Sequence, residues 1–343
     1  MSDIHDSAVV VDCHNDLILM VERARRWGKN GTLTDRWLPQ LRRGGVNVQV
    51  LPIHMDEEFL PEGALRRTLL ILEFLRRELA EGDGSAEWCT TGAEIDAAVA
   101  AGKTALVAAL EGGQAIGRNV ELVETFFRLG VRMSSFTWFD RTFLADGSGE
   151  DAAGGRLTKA GVEALGEMER LGMVFDVSHL SLVGTEHVLE IATRPLVASH
   201  SSARALRDYH RNLTDDHIKK IGALGGVVGV TAVPKFNADQ GATLDRVVDH
   251  IEHIANVAGI DHVGLGTDFV KEYYVETAPD MLDVEFDGML ITDEIEGLVT
   301  PEDMPNLTEA MERRGLAEAD IRKVLGENLL RVFREVMGVP GAA

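Results

Sequence analysis

Short stretches of mostly apolar residues recur along the chain, each of a length that suits a buried strand. They lie at 8–14, 46–53, 104–110, 131–137, 173–178, 195–199, 226–233 and 262–267. A continuous apolar run, unlike an alternating one, is typical of a strand that is covered on both faces in a parallel sheet. The pattern therefore predicts eight buried strands.

Between most of these runs the apolar residues return every three or four positions, which predicts amphipathic helices. The periodicity is clearest where Leu65, Leu69 and Leu72 follow one another. The predicted helices lie at 64–79, 93–101, 120–129, 158–171, 183–192, 215–224 and 243–258, with a closing helix that includes 328–334. Because strands and helices mostly alternate, we predict an α/β fold of the (β/α)₈ TIM-barrel type.

The composition is that of one large globular domain. The chain has 343 residues, of which 45% are hydrophobic and 26% charged, and we expect a single domain over 1–343 with closing helices at its C-terminal end. The formal net charge of −22 argues against nucleic acid or an anionic membrane as a partner. No stretch reaches transmembrane length, and neither end carries a signal or anchor pattern. Cys13 and Cys89 make no disulfide framework, so we expect a cytoplasmic protein in which Cys13 packs as an apolar residue.

Five polar residues follow the predicted strands, and each is a type that binds metal ions. They are His14, Asp16, Glu111, His179 and His200. In an extended strand His14 and Asp16 would lie on the same face. The carboxyl ends of parallel strands meet at one edge, where such folds bind ligands. Any one of these residues taken alone is more often a core histidine or a solvated carboxylate, but together they favour a site for Zn²⁺ or a similar ion.

The remaining histidines and the longest glycine-rich segment are weaker signals. His54 follows the second predicted strand, so it is expected on the same edge and could contact a substrate. We expect His210, His250 and His253 to be surface groups of loops or helices. The segment 145–155 is rich in glycine and aspartate, which predicts a loop after a strand.

Several short motifs then support a family resemblance. They are Asp12-x-His14-x-Asp16, Glu111-Gly112-Gly113, Asp176-x-x-His179, Ser199-His200-Ser201-Ser202-Ala203, Arg211-Asn212, Gly264-x-Gly266-x-Asp268 and Gly326-Glu327-Asn328. In order and spacing, they resemble the membrane (renal) dipeptidase family of binuclear zinc metallopeptidases, which are amidohydrolase-like. The resemblance covers nearly the whole chain, from about Val9 to Val336.

The resemblance implies a (β/α)₈ barrel that holds two divalent metal ions, with Zn²⁺ as the expected metal. His14 and Asp16 would bind one ion, His179 and His200 the other, and Glu111 would bridge both. A hydroxide between the ions would attack the amide carbon, because two cations lower the pKa of a shared water into the neutral range.

The resemblance also implies roles for three further residues. Asp268 matches the acid–base carboxylate of the family, and Arg211 matches the position that binds the terminal carboxylate of the substrate. Trp138 stands where mammalian members carry a histidine that stabilises the oxyanion. An indole has a single N–H donor and cannot become cationic, so the substrate pocket is expected to differ here. The family often continues Asp-Phe-Asp-Gly where this chain has Val270 and Lys271 after Phe269, and the role of 269–300 stays open.

These observations predict a metal-dependent dipeptidase that cleaves a small dipeptide-like substrate. A related amide or lactam hydrolase, or an enzyme that matures a peptide-derived metabolite, is an alternative because Trp138 changes the pocket. A barrel that keeps its metal ions without catalysis is a second alternative. The sequence leaves open the side-chain and L/D preference, the physiological metal and the oligomeric state, a homodimer included.

Overall fold

Buried parallel strands form the centre of the fold. The structure, a computed structural model, describes residues 3–277, 285–286, 289–290, 293–339 and 341. The strands are β1 (Val10–Asp12), β2 (Val46–Ile53), β3 (Ala86–Trp88), β4 (Thr104–Leu110), β5 (Val131–Ser134), β6 (Val174–Phe175), β7 (Val197–Ser201), β8 (Val227–Val230), β9 (Val263–Leu265), β10 (Glu285–Phe286) and β11 (Met289–Leu290).

The strands form two parallel sheets and a small antiparallel hairpin of β10 and β11. The larger sheet has the order β1-β2-β4-β5-β6, with β3 paired to β4, and the smaller sheet has the order β7-β8-β9. Asp176 and Val197 form a parallel bridge between the two sheets. The other two edges of the sheets, at β1 and β9, are also connected, because the Cys13 N–H donates to the Leu265 carbonyl at 2.9 Å. The fold is therefore mixed α/β, and the larger sheet is a parallel half-barrel.

Helices connect and cover the strands. They are α1 (Asp3–Ser7), α2 (Leu17–Arg26), α3 (Leu38–Arg43), α4 (Ala64–Glu81), α5 (Gly92–Ala100), α6 (Leu122–Arg128), α7 (Lys159–Leu171), α8 (Leu182–Ile191), α9 (Asp215–Ala223), α10 (Pro234–Asn237), α11 (Leu244–Ala258), α12 (Val270–Thr277), α13 (Met304–Arg313), α14 (Glu318–Arg322) and α15 (Asn328–Val336). Single turns of π-helix lie at Leu33–Trp37 and Lys323–Glu327, and 3₁₀ turns at Glu57–Phe59, Ser148–Ala153, Ile260–His262 and Pro301–Asp303. Within the described ranges we find no helix with the length and apolar character needed to cross a membrane.

Local sequence explains where several of these helices begin. In α5, α7, α8, α9 and α11 the residue before the helix is a serine or threonine whose hydroxyl accepts a backbone N–H of the first turn. Each cap of this kind stabilises a helix by about 0.5–2 kcal/mol. At the C-terminal end, Leu329 and Phe333 of α15 are fully buried in one cluster with Val48 and Val107. The predicted closing helix is therefore present and packs against the strands.

Every predicted strand segment contains a strand, although most of the strands are shorter than predicted. β3 was missed because Ala86, Glu87 and Trp88 form no apolar run, and the strand lies half-exposed at its position beside β4. The predicted loop 145–155 contains the 3₁₀ turn Ser148–Ala153. Segments 278–284, 287–288 and 291–292 of the stretch 269–300, and residues 1–2, 340 and 342–343 at the two ends, lie outside the described residues.

Two detailed predictions were wrong. β1 ends at Asp12, so His14 and Asp16 do not share a strand face; they meet because the backbone turns there into α2. His250 is not a surface group but is fully buried on the inner side of α11. Its ring satisfies two backbone groups, the Ala203 N–H and the Asn237 carbonyl, which compensates the cost of burying a polar ring. Cys13 packs in the core as predicted.

Candidate active site

The predicted metal ligands converge at the carboxyl ends of the strands. His14 and Asp16 follow β1, Glu111 follows β4, and His179 lies four residues after β6, whereas His200 is inside β7. All five residues are buried, and none is more than 7% exposed. The sequence separates them by up to 186 residues, yet the fold places them in one buried cluster.

Glu111 lies at the centre of this cluster. Its Oε1 atom is 2.8 Å from His179 Nε2, 3.5 Å from His14 Nε2 and 3.6 Å from His200 Nε2. His179 Nε2 and His200 Nε2 are themselves 2.9 Å apart. On the other side, His14 Nε2 is 3.7 Å from Asp16 Oδ1. Nitrogen and oxygen donors of several chain segments thus face one small volume.

The donor set fits divalent metal ions. Groups of three ligand atoms that lie within 4.8 Å of one another are formed by His14, Glu111 and His200, by His14, Asp16 and Asp268, and by Asp16, His54 and Glu111. Among the described residues, the buried atoms Asp16 Oδ1 and His179 Nδ1 have no hydrogen-bond partner. Imidazole nitrogens and carboxylate oxygens in such clusters are typical ligands of Zn²⁺ and related ions.

Electrostatics keeps three of the ligands, His179, His200 and Glu111, in the forms that bind cations. Burial lowers the pKa of His179 to about 3 and, with His14 and Arg211, lowers that of His200 well below its ordinary value, so both rings are neutral. Burial opposes ionisation of Glu111, but His14 and His179 hold its pKa well below its usual range. Neutral rings at His179 and His200 and an ionised Glu111 are the protonation states that metal binding requires. At His14, burial disfavours the protonated ring, but the carboxylates of Glu111, Asp268 and Asp16 raise its pKa, so an ion that binds there displaces a proton.

A serine and a carboxylate behind His200 orient its ring. The Ser199 hydroxyl donates to Asp176 Oδ2 at 2.5 Å and lies 2.8 Å from His200 Nδ1. Since the hydroxyl has only one hydrogen, it accepts from Nδ1–H, which leaves the lone pair of His200 on Nε2 toward Glu111. The sequence placed Asp176 in a motif but did not predict that it orients His200. The signal that could have indicated this role is a carboxylate at the end of an apolar run.

A second buried carboxylate, that of Asp12, connects β1 to the segment that follows β9. Asp12 accepts the Thr267 N–H at 2.8 Å and the Thr267 hydroxyl at 2.9 Å. The next residue, Asp268, donates its own N–H to the His14 carbonyl at 3.0 Å. Asp268 and His179 both have left-handed backbones, with φ of 55° and 70°. Such conformations cost non-glycine residues about 1–3 kcal/mol and cluster at functional sites.

Asp268 is the partly exposed acid of the cluster. Its Oδ1 atom lies 3.8 Å from His14 Nε2, and its side chain is 12% exposed. Burial, together with the Asp16 and Glu111 carboxylates, raises the pKa of Asp268 to about 7 against the opposing effect of His14. The structure therefore places Asp268, three residues after β9, at the edge between the ligands and a cavity.

That cavity has a volume of about 50 Å³ and borders the cluster. Its floor includes Asp16, Glu111, His179 and Asp268. Aromatic side chains form much of its wall, namely Trp138, Phe139, Tyr209, Phe236 and Tyr274. Trp138 was predicted; the others were missed, because single aromatic residues in loops or short helices carry no periodic signal.

Two cations lie near the cavity. Arg211 is buried, and its guanidinium donates to the His200 carbonyl at 3.0 Å and contacts Ser201 Oγ at 3.4 Å, which leaves its buried Nε without a partner in the described structure. Its guanidinium carbon is 5.5 Å from the ring centre of Phe236, which lines the cavity. Lys235, which sequence reasoning missed, is the one Lys or Arg among the described residues that line the cavity.

His54 also lines the cavity. Its ring stacks on Trp138, with the ring centres 5.2 Å apart and the planes 3° from parallel. Burial disfavours the protonated ring, yet the carboxylates of Asp16, Asp56 and Glu111 raise the pKa of His54 well above its ordinary value. The cluster thus favours positive charge, which is the environment that a cation site needs.

Comparisons with known proteins identify the family of this chain. The family model described as membrane dipeptidase (peptidase family M19) matches residues 1–340. Dipeptidase verJ of Clonostachys rogersoniana is 27% identical over 329 residues, which is 95% of this chain and 78% of that protein.

Solved structures are similar over nearly the whole chain. Dipeptidase AC, a metallopeptidase of family M19, has 26% identity and a TM-score of 0.84 over 97% of this chain and 100% of its own. A metallopeptidase from Rhodobacter sphaeroides, bound to a phosphinate mimic of the dipeptide L-Ala-D-Ala, has 25% identity and a TM-score of 0.83 over 96% of this chain and 99% of its own. The family resemblance predicted from the sequence is confirmed: this chain belongs to the membrane dipeptidase family of metallopeptidases.

Proposed function

We propose that this protein is a dipeptidase that binds a small dipeptide in the aromatic cavity and hydrolyses its amide bond at the cluster around Glu111. Membership of a peptide-bond hydrolase family confirms the prediction of a metal-dependent dipeptidase. The observation that carries the proposal is the convergence of five buried ligand side chains in one cluster, three of which lie with Asp268 on the floor of the cavity. The lactam-hydrolase, metabolite-maturation and non-catalytic alternatives are not favoured by these relatives.

We assign two divalent ions, with Zn²⁺ as the expected metal, to this cluster. His14 and Asp16 would hold one ion, His179 and His200 the other, and Glu111 would contribute an oxygen to each. The support is the position of Glu111 between the two groups of donors. Such ions, when bound, activate water as a nucleophile and polarise the scissile carbonyl.

Asp268 is proposed as the group that moves the proton. Its carboxylate lies on the cavity floor beside His14, and the hydrogen bond from its own N–H to the His14 carbonyl fixes its distance from the ligands. In this role, it takes a proton from the attacking water and returns it to the leaving amine. Asp268 has a left-handed backbone three residues after the end of β9.

Arg211 is proposed to bind the terminal carboxylate of the substrate, since a planar guanidinium binds a carboxylate with two parallel hydrogen bonds. Its Nε is buried and unpartnered in the described structure. Lys235 on the cavity wall is the competing candidate. Trp138 is proposed to contact an apolar substrate group, because its indole forms part of the aromatic wall.

We further propose that the two sheets close into a (β/α)₈ barrel in a single domain over 1–343, completed by α13 to α15. The Asp176–Val197 bridge and the Cys13–Leu265 hydrogen bond support closure. Two buried cysteines without a disulfide support a cytoplasmic location. The net charge of −22 supports a protein that binds neither nucleic acid nor anionic membrane. A homodimer stays a prediction.

The test combines metal analysis with a substrate panel. The protein is reconstituted with Zn²⁺, its metal content is measured, and L,L- and L,D-dipeptides are assayed with their N-acetylated and amidated forms. We expect about two ions per chain, as in two-metal hydrolases, and turnover of free dipeptides. One ion or none would contradict the binuclear assignment, and two ions without turnover of any dipeptide would support a non-catalytic protein.

A further inference from the structure

His54 directs a ring nitrogen at the proposed metal ligands. It follows β2 and is 3% exposed. Its Nδ1 atom lies 3.6 Å from Asp16 Oδ1 and 3.4 Å from Glu111 Oε2. These three residues form one of the groups whose ligand atoms all lie within 4.8 Å of one another.

These contacts do not have hydrogen-bond geometry. An N–H···O bond usually spans about 2.7–3.2 Å, and a separation of about 3.6 Å is outside that range. His54 Nδ1 is buried and, like Asp16 Oδ1, has no hydrogen-bond partner among the described residues. Two atoms bound to one tetrahedral ion at about 2.0–2.2 Å lie ~3.3–3.6 Å from each other. The separations of His54 Nδ1 from Asp16 and Glu111 therefore suit neighbouring positions around a metal ion.

The other side of the ring faces a network that can hold the ring proton on Nε2 when an ion takes the place of the proton on Nδ1. His54 Nε2 lies 3.6 Å from Asp56 Oδ1, so a carboxylate stands behind the ring on the side away from the ligands. Asp56 is fixed by Arg67 at 2.5 Å and by the Tyr273 hydroxyl at 3.0 Å. The stack on Trp138 sets the plane of the ring. A carboxylate behind a histidine is the arrangement that orients ligating imidazoles in metal sites.

We propose that His54 Nδ1 is a further ligand of the metal ion held by His14, Asp16 and Glu111. The inference rests on the proposed metal centre and deepens it. One ion then has four protein ligands, whereas the ion at His179 and His200 shares Glu111 and has three. A closed set of four is typical of a structural site, and a set of three leaves a position open for water or substrate. The ion on the His54 side is therefore the more tightly held of the two.

The test is a chelator competition that measures the affinity of each ion in the wild-type protein and in His54→Ala. We expect the variant to lose affinity for one ion by more than the ~10–100-fold typical of second-shell changes, while the other ion stays bound. Asp56→Asn should fall within that ~10–100-fold range, because it changes only the group that orients the ring. His253→Ala, which removes a partly exposed histidine of α11, is the matched control and should leave both affinities unchanged.

A direct readout uses the wild-type protein and does not depend on a variant that folds. With ¹¹³Cd²⁺ bound and ¹⁵N-labelled histidine, nitrogen–cadmium coupling is expected for His14, His54, His179 and His200. Coupling that is absent at His54 in a protein with both ions bound, or wild-type affinities in folded His54→Ala, would overturn the proposal. A wild-type protein that binds no divalent ion would instead refute the metal centre itself, so the two failures are distinguishable.

Discussion

The free energy of unfolding should fall in mild acid because of His250, the buried histidine of α11. Its Nδ1 accepts the Ala203 N–H at 3.0 Å, and its Nε2 lies 3.1 Å from the Asn237 carbonyl, so the neutral ring satisfies both backbone groups. Ala203 lies in the loop after β7, the strand that carries His200. Burial lowers the pKa of His250 from 6.5 to about 4, although the Asn237 carbonyl partly opposes the shift.

The sign and size of the effect follow from this pKa. Between pH 6.5 and about 4 the unfolded chain binds a proton at His250 that the folded protein excludes. Stability is therefore fully present above pH 6.5 and is lost as the pH falls toward 4. Since one pKa unit corresponds to about 1.36 kcal/mol, the full shift contributes roughly 3 kcal/mol, of which about 2.5 kcal/mol is lost by about pH 4.5.

The assay compares urea unfolding of the wild-type protein and His250→Gln, both metal-free in chelator, at pH 7.5 and pH 4.5. At pH 7.5 the variant should be less stable by about 1–3 kcal/mol, because glutamine does not reach both backbone partners in the same geometry. At about pH 4.5 the difference in the free energy of unfolding between the two proteins should shift against the wild-type protein by about 2.5 kcal/mol, since only the wild-type protein loses the His250 contribution.

His253→Gln is the matched control, because it removes a partly exposed histidine from the same helix, where it pairs with Asp215 at 2.8 Å. The stability difference between the wild-type protein and this control should not narrow in acid as it does for His250→Gln. If the difference in the free energy of unfolding between the wild-type protein and His250→Gln is the same at both pH values, the assignment of acid sensitivity to this ring is refuted.

The remaining predictions concern the site. Glu111→Gln should weaken both metal sites together, and elemental analysis that finds loss of a single ion would assign Glu111 to one site only. Asp268→Asn should keep the metal content and lower kcat by at least ~10²-fold; an unchanged kcat would exclude it from proton transfer. Arg211→Ala should raise KM for substrates with a free terminal carboxylate and hardly affect amidated ones, whereas equal losses on both would favour Lys235 as the carboxylate ligand. Trp138→His should raise kcat on simple dipeptides and weaken binding of apolar substrates; a lower kcat/KM on every substrate with metal bound would make Trp138 a packing residue.

The predictable parts of the fold are those in which several apolar residues in succession indicate a buried strand. β4 is an almost continuous apolar run, and β2 is a mostly apolar one that includes Asn47 and Gln49; the positions of both strands were predicted to the residue. Glu111 interrupts such a run at its end, and a buried carboxylate in that position requires partners. The polar residue that ends an apolar run was therefore the most reliable signal for the site.

The parts that could not be predicted depend on contacts between distant segments. The aromatic cavity wall comes from loops and from the short helices α10 and α12, and an isolated Tyr209 or Phe236 has the same local sequence whether it lines a cavity or packs in a core. His250 was misjudged because its buried partners, Ala203 and Asn237, lie in other elements. His54 was located on the correct edge, but its approach to Asp16 depends on how α2 turns away from β1.

The two junctions between the sheets explain why the metal ligands and the fold depend on each other. At one junction Asp176 bridges to β7 through Ser199, and at the other Asp12 binds Thr267 beyond β9. Backbone pairing is sparse at both places, so these buried carboxylates supply much of the connection. Each carboxylate also lies within three residues of a proposed ligand along the chain. Loss of either carboxylate should therefore loosen a sheet junction and displace a ligand together, because the same hydrogen bonds position both.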